Sequence, residues 1–278
     1  MMINLCLYIK SLWRRWHHIT RPGPGPDIKG WPLVEYLDAT NTYKGFEWAP
    51  DDRPYHPDYA VQWFDPACVQ ITNTQFACSV VNKPRNFNGM LVDWAIGLVQ
   101  SKAAWQYGYF ESMIKMPLKR GQWPADWLTG ETNWPPEIDT VEGYSRSDEY
   151  RKLRKFQSNV HFMHNGKKRV IRAKDHPIPK GLRGEWVKYA TLWLPDKIEW
   201  WYNGYLVRRE TRRHVLAAMN EPMRRVLNSA VQLPTEESVT LFDHVKVFQH
   251  PDHIKPQLKQ TRNENSQPIK FKLPNSNF

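Results

Sequence analysis

The stretch Trp134-Pro135-Pro136-Glu137-Ile138-Asp139-Thr140-Val141-Glu142-Gly143 sets three carboxylates among β-branched residues, directly after a tryptophan and two prolines. Ile, Thr and Val fit a pleated, half-buried surface, so the stretch reads as a strand. In a regular strand side chains alternate between faces, which puts Glu137 and Asp139 on one side and Glu142 on the other. One extra residue around Thr140 or Val141, a β-bulge, returns Glu142 to the face of the other two, and bulges concentrate beside active sites. The two glutamates then stand about 13 Å apart along the strand. Leaning toward each other across Asp139, their carboxyl groups can approach to roughly 5–5.5 Å, the spacing of a retaining glycosidase. Without the bulge the same acids are a solvated edge strand with no chemistry.

Outward from this stretch the chain reads as short strands. Upstream lie Val69 to Thr72, Phe76 to Val81, Trp94 to Ser101 and Tyr107 to Met116; downstream lie Phe156 to Phe162, Trp186 to Leu194, Ile198 to Tyr202, Leu206 to Arg209, Leu227 to Leu233 and Val239 to Phe248. Helix-length periodicity is scarce; His214 to Met219 is the one short helical candidate. Many strands at short spacing indicate an all-β chain, a sandwich or jelly roll. Residues 1–30 form an N-terminal arm with the spacer Arg21-Pro22-Gly23-Pro24-Gly25-Pro26-Asp27, whose alternating Pro and Gly hold neither helix nor central strand. Its first part, with Trp13, Arg14, Arg15 and Trp16, is either a surface-seeking amphipathic helix or a disordered tail. The body spans 31–250, with long loops expected from Trp31 to Pro66, and a polar tail, expected to be disordered, fills 251–278.

The segments Gly121-Gln122-Trp123-Pro124-Ala125-Asp126-Trp127-Leu128, Tyr107 to Pro117, Asn159-Val160-His161-Phe162, Tyr189 to Trp193 and Ile198-Glu199-Trp200-Trp201-Tyr202-Asn203-Gly204 accompany the acids in a fixed order. Together they resemble glycoside hydrolase family 16, endo-acting enzymes that cut β-linked glucans and galactans. The resemblance runs over roughly residues 60–250 and is to the laminarinase-like branch, whose acidic motif carries the additional, bulged residue. It implies a concanavalin-like jelly roll of two antiparallel sheets with a concave substrate cleft. It also implies that Glu137 is the nucleophile, Glu142 the acid/base and Asp139 the modulator between them. Trp123 and Trp127 are the implied sugar platforms, His161 lies near the cleft, and Glu111 matches a cleft-facing position. Two positions depart from the family pattern: Met113 stands where relatives often carry Arg, and Asp126 where they carry an aromatic or apolar residue. If both face the cleft, the substrate has shifted.

The chemistry needs such a set. Glycoside hydrolysis takes a proton donor for the leaving oxygen and stabilisation of an oxocarbenium-like transition state. Close carboxylates cannot all ionise easily, so one keeps a proton near neutral pH while another stays an anion. The protons belong to the set, not to single residues.

Composition bounds the rest. Fourteen Trp, 12 Tyr and 11 Phe exceed what packing alone demands and suit sugar rings, which are apolar on their faces and hydroxylated at their edges. The net charge of +11 favours polyanions or merely solubility. No zinc-finger spacing or aromatic RNA-binding motif accompanies it, so no nucleic-acid partner is expected. Basic runs such as Arg151 to Lys155, Lys167-Lys168-Arg169, Arg208-Arg209, Arg212-Arg213 and Arg224-Arg225 point to an anionic polysaccharide if they line the cleft, and to solubility if they do not. Cys6, Cys68 and Cys78 form no disulfide framework and no metal spacing; Cys68 and Cys78 either pair across a hairpin or are buried thiols. The expectations are therefore no cofactor, no metal ligand, no membrane span, a polysaccharide substrate and a monomer. Met1 to Ile9 is too short for an export signal and its charges follow it, although a polysaccharide substrate implies extracellular, surface or virion-associated action.

Overall fold

The structure, a computed structural model, describes residues 21–37, 46–48, 62–71, 75–117, 119–143, 155–172, 176–232 and 235–253; the statements below concern these. The segment from Met1 to Thr20, most of the run Arg151 to Lys155, and residues 254–278 lie outside them.

Two sheets face each other. One is ten-stranded. Its path runs β17 (Tyr205–Glu210), β16 (Lys197–Tyr202), β15 (Trp186–Leu194), β8 (Gly108–Lys115), β19 (Ser238–Phe248), β5 (Phe76–Phe87), β6 (Met90–Ile96), β3 (Gln62–Phe64). β1 (Leu33–Leu37) adds to β19 and β4 (Val69–Ile71) to β5. The other is seven-stranded: β13 (Lys167–Arg172), β12 (Asn159–His164), β10 (Glu137–Glu142), β9 (Gln122–Gly130), β18 (Met223–Val231), β7 (Leu98–Trp105), β2 (Phe46–Trp48). A small pair, β11 (Lys155–Phe156) with β14 (His176–Pro177), stands apart. The single described α-helix, α1, is one turn, Arg213–Leu216, within a residue of the expected start. Pairing is antiparallel throughout except β3 with β6, which is parallel.

Alternation builds the core. Phe110 and Ile114 on β8, Leu128 on β9, Ile138 on β10, Trp200 on β16 and Phe242 on β19 are fully buried between the sheets. The run from Trp94 to Ser101, one strand by sequence, is two strands in two different sheets. The chain crosses at Gly97, where a Cβ would stand 2.5 Å from the Cys68 carbonyl oxygen, so only glycine lets the backbones pass. β9 and β13 did not stand out as strands: tryptophans, Pro124 and Asp126 disguise the first, and three consecutive cations the second. Within the stretch expected to be loops, β1, β2 and β3 are strands.

The Pro/Gly spacer is neither helix nor strand. It is docked: the Gly23 amide donates to Asn203 O (2.8 Å) and the Gly25 amide to Gly204 O (3.1 Å). Ile28 and Trp31 then pack with Tyr109, Leu192 and Trp201 on the outer face of the ten-stranded sheet. Two buried, unpaired thiols are what Cys68 and Cys78 turn out to be, and burial pushes both above the ordinary thiol range.

Candidate active site

The expected bulge is present. On β10, Asp139 pairs with Trp127 and Val141 with the adjacent Asp126, so Thr140 is the extra residue. Ile138, Thr140 and Val141 turn into the core with no exposure, while Glu137, Asp139 and Glu142 share the concave face. Opposite Glu137 on β12 stands His161, and opposite Glu142 on β9 stands Ala125. The small alanine leaves the space above it to the glutamate.

Each acid has its own partners. Glu137 Oε2 accepts from Trp134 Nε1 at 2.7 Å, and its Oε1 lies 3.2 Å from His161 Nε2. Asp139, 3% exposed, points its Oδ2 at the same imidazole nitrogen, 3.5 Å away. Glu142 Oε1 accepts from Trp123 Nε1 at 2.7 Å, and Oε2 accepts from Asn159 Nδ2. The imidazole thus bridges Glu137 and Asp139, whereas Glu142 is held by neutral donors.

Burial comes first in the electrostatics. It pushes Glu142 well above the usual carboxylate range, and the charges of Asp139 and Glu137 push it further. Burial and then the Asp139 charge put Glu137 up to about 8, against the pull of His161 and Trp134. For His161 burial alone favours the neutral ring, but Glu137 and Asp139 outweigh it and raise the imidazole to about 9. The raised Glu137 and the raised His161 pull in opposite directions across one 3.2 Å contact. The two therefore titrate as a unit. With a cation at that distance, the arrangement the geometry favours is imidazolium beside an ionised Glu137, with the remaining proton on Glu142, whose partners carry no charge.

Glu137, Asp139 and His161 also bring three potential metal-ligating atoms within 4.8 Å of one another. A proton competes with any ion for that imidazole.

Trp123 and Trp127 lie on β9 beside the acids of β10. Trp127 Nε1 donates to Asn228 Oδ1 at 2.8 Å, and both rings pack partly against Phe64, Trp94, Leu98 and Val226. Glu111 does not join them. It lies on β8 in the opposite sheet, where Phe110, Ser112 and Ile114 take the inward positions, so alternation turns Glu111 outward to Lys188 (3.4 Å) and Lys246 (3.9 Å). Met113 shares that outer face. Asp126 is fully buried between the sheets, bonded to Arg225. Neither departure from the family pattern touches the cleft.

The basic runs divide. Arg225 is a core residue; Arg209 and Arg212 pair with Glu199 and Glu210 at the β16–β17 end of the ten-stranded sheet. Lys168 faces the cleft, its ammonium 4.7 Å from the ring centre of Trp134. Sequence reasoning passed over Trp134, Asn159 and Asn228. Asn159 was within reach, since it stands two residues before His161 and so on the same face; the contact of Asn228 rests on the pairing of β18 with β9, which no local signal announces.

A family model described as glycosyl hydrolases family 16 matches residues 48–235. The endo-1,3-1,4-beta-glycanase EglC of Rhizobium meliloti is 30% identical over 142 residues, 50% of this chain and 28% of that protein. A beta-glucanase of Rhodothermus marinus is 30% identical over 121 residues, 40% of each protein. The chain thus matches well under half the length of these two relatives. Among solved structures, LamAcat from Zobellia galactanivorans superposes with a TM-score of 0.65 at 20% identity, covering 78% of this chain and 97% of that one, a likeness of fold. Among the described residues, no helix is long and apolar enough to cross a membrane.

Proposed function

The chain belongs to glycosyl hydrolases family 16, and on that premise we propose that it is a retaining endo-β-glycosidase cutting a polysaccharide of the β-1,3-glucan type. The observation that carries the proposal is the bulge at Thr140, which sets an acid among neutral donors and a carboxylate beside an imidazolium on one face of one strand.

In the first step Glu137 attacks the anomeric carbon while Glu142 gives its proton to the departing glycosidic oxygen. The glycosidic bond breaks and a glycosyl ester of Glu137 forms. In the second step Glu142, now an anion, takes a proton from water as that water attacks the same carbon, and Glu137 leaves as a carboxylate. Trp134 and His161 hold Glu137 ionised for attack. Trp123 and Trp127 offer apolar faces to sugar rings. No step calls for a cofactor or a nucleic acid. A transglycosylase follows the same first step and differs in the acceptor; product analysis separates the two.

One observation favours a second reading, an anionic or sulfated galactan. Lys168 stands over Trp134, whose indole holds the nucleophile, so a sulfate or carboxylate on the sugar there would meet a cation. The test is kcat/KM on laminarin, mixed-linkage glucan and a sulfated galactan across a salt series, with the anomer of the first product read by NMR. Cleavage of the neutral glucans with a flat salt response, releasing the β-anomer, is expected. The Debye length falls from about 10 Å at 0.1 M to about 3 Å at 1 M, so activity confined to the galactan and collapsing with salt would establish the second reading. An initial α-anomer would refute retention.

A further inference from the structure

The bulge that brings Glu142 into the cleft is a local defect in hydrogen bonding. Strand β12 pairs with β10 at Glu137 and Ile138. Pairing on that side resumes at Glu142, whose amide donates to Gln157 O (2.9 Å) and whose carbonyl accepts from the Gln157 amide (3.0 Å). Between these points two buried carbonyls turn toward the other sheet, and side chains of β16 meet them there. Trp200 Nε1 donates to Asp139 O at 2.8 Å, and the Tyr202 hydroxyl donates to Thr140 O at 3.0 Å. The bulged residue itself is held by its side chain: Thr140 Oγ1 and Thr191 Oγ1 are 2.8 Å apart. Thr191 and Trp200 are direct partners across β15 and β16, so the donors sit on one rigid patch. All five residues are buried.

We infer that Tyr202, Trp200 and Thr191 are positioning residues, a clamp from the opposite sheet that holds the bulge and thereby aims the acid/base Glu142. Without these donors a bulged strand leaves buried carbonyls unpaired, which is costly. The competing regular register turns every later side chain to the other face, Glu142 into the core. Glu137, before the bulge, keeps its place in either register. The clamp therefore governs proton delivery and leaves the nucleophile alone.

The inference rests on the assignment of Glu142 as acid/base, and the experiment separates the two. Tyr202→Phe removes one hydroxyl, and Thr191→Val is isosteric and keeps the idea testable if the first variant folds poorly. Each is assayed on laminarin, whose leaving group needs a proton, and on 2,4-dinitrophenyl β-laminaribioside, whose phenolate departs without one. General acid catalysis contributes about 10²–10⁴-fold. We expect kcat/KM on laminarin to fall about tenfold or more and kcat/KM on the aryl glycoside to stay within about threefold. A merely structural role lowers both together by reducing the active fraction, and equal losses, or none, would overturn the clamp. Amide hydrogen exchange gives a readout without substrate: the Glu142 and Gln157 amides should exchange about tenfold faster in the variants while β8 amides hold. Unchanged exchange at that pair also refutes the clamp. A wild-type protein inert on both substrates refutes the β-1,3-glucan reading, and the exchange result then still decides the clamp.

Discussion

Removing Asp126 should cost this protein more stability than removing any surface charge. Asp126 and Arg225 have no solvent exposure at all. The guanidinium grips both carboxylate oxygens, Nε to Oδ1 at 3.0 Å and Nη2 to Oδ2 at 2.6 Å, and Ser112 donates to Oδ2 at 2.5 Å. Nη1 donates to the carbonyls of Glu111 and Lys246, at 3.1 and 3.0 Å. The pair belongs to β9 and β18, whereas Ser112 and the two carbonyls belong to the other sheet, so the network pins the sheets together. Asp126→Leu leaves a cation buried with neutral acceptors alone, and breaking such a pair costs about 3–5 kcal/mol. At roughly 2–4 °C per kcal/mol for a chain near this size, the melting temperature falls by about 6–20 °C. Arg225→Met should cost a similar amount, because the carboxylate is then stranded. The double variant Asp126→Leu/Arg225→Met removes both charges and should recover most of the loss, giving a coupling energy of about 2 kcal/mol or more in the cycle. Urea unfolding followed by tryptophan fluorescence measures all four proteins. A single-variant loss below about 1 kcal/mol, or additive losses, would refute the argument. KM for a neutral glucan should not change in the folded single variants, because Asp126 faces away from the cleft.

Three further outcomes follow from the acids. Glu137→Gln and Glu142→Gln should each lower kcat by orders of magnitude with the fold intact, and Asp139→Asn by less, since it supports rather than reacts; wild-type turnover in either glutamate variant removes its assigned role. His161→Gln deletes the cation that favours ionised Glu137, so the nucleophile's pKa rises and the acidic limb of kcat/KM against pH moves to higher pH; an unmoved limb breaks that link. Glu142, raised well above its ordinary value by burial, belongs to the groups that hold in the folded state a proton the unfolded chain releases above about pH 4.5. Such groups make stability fall as pH rises through that window, and His161, raised to about 9, adds a loss above the unfolded value near 6.5. Calorimetry should therefore show Glu142→Gln more stable than wild type at pH 8 and equal to it near about pH 3, below the unfolded value, where the wild-type acid is neutral in both states; an equal gain at both pH values contradicts the linkage.

Much of this protein is local and hence legible in its residues. Ile138, Thr140 and Val141 declare a strand, and three acids spaced two and three apart need a bulge to share a face; both follow from strand periodicity alone. Trp186 to Leu194 was readable to the residue because its pattern answers only to its own two faces. What could not be read depends on register between distant segments. Glu111 and Asp126 carry charges that suggest a cleft, yet the parity of β8 turns one outward to two lysines and that of β9 turns the other inward to Arg225. Gly97 looks like any glycine in an apolar run until the Cys68 carbonyl comes against it. The donors that hold the bulge lie some sixty residues away, Trp200 for Asp139 and Tyr202 for Thr140. A side chain's own strand decides the line along which it points; only the stacking of two sheets decides whether cleft, core or solvent lies at the end of that line.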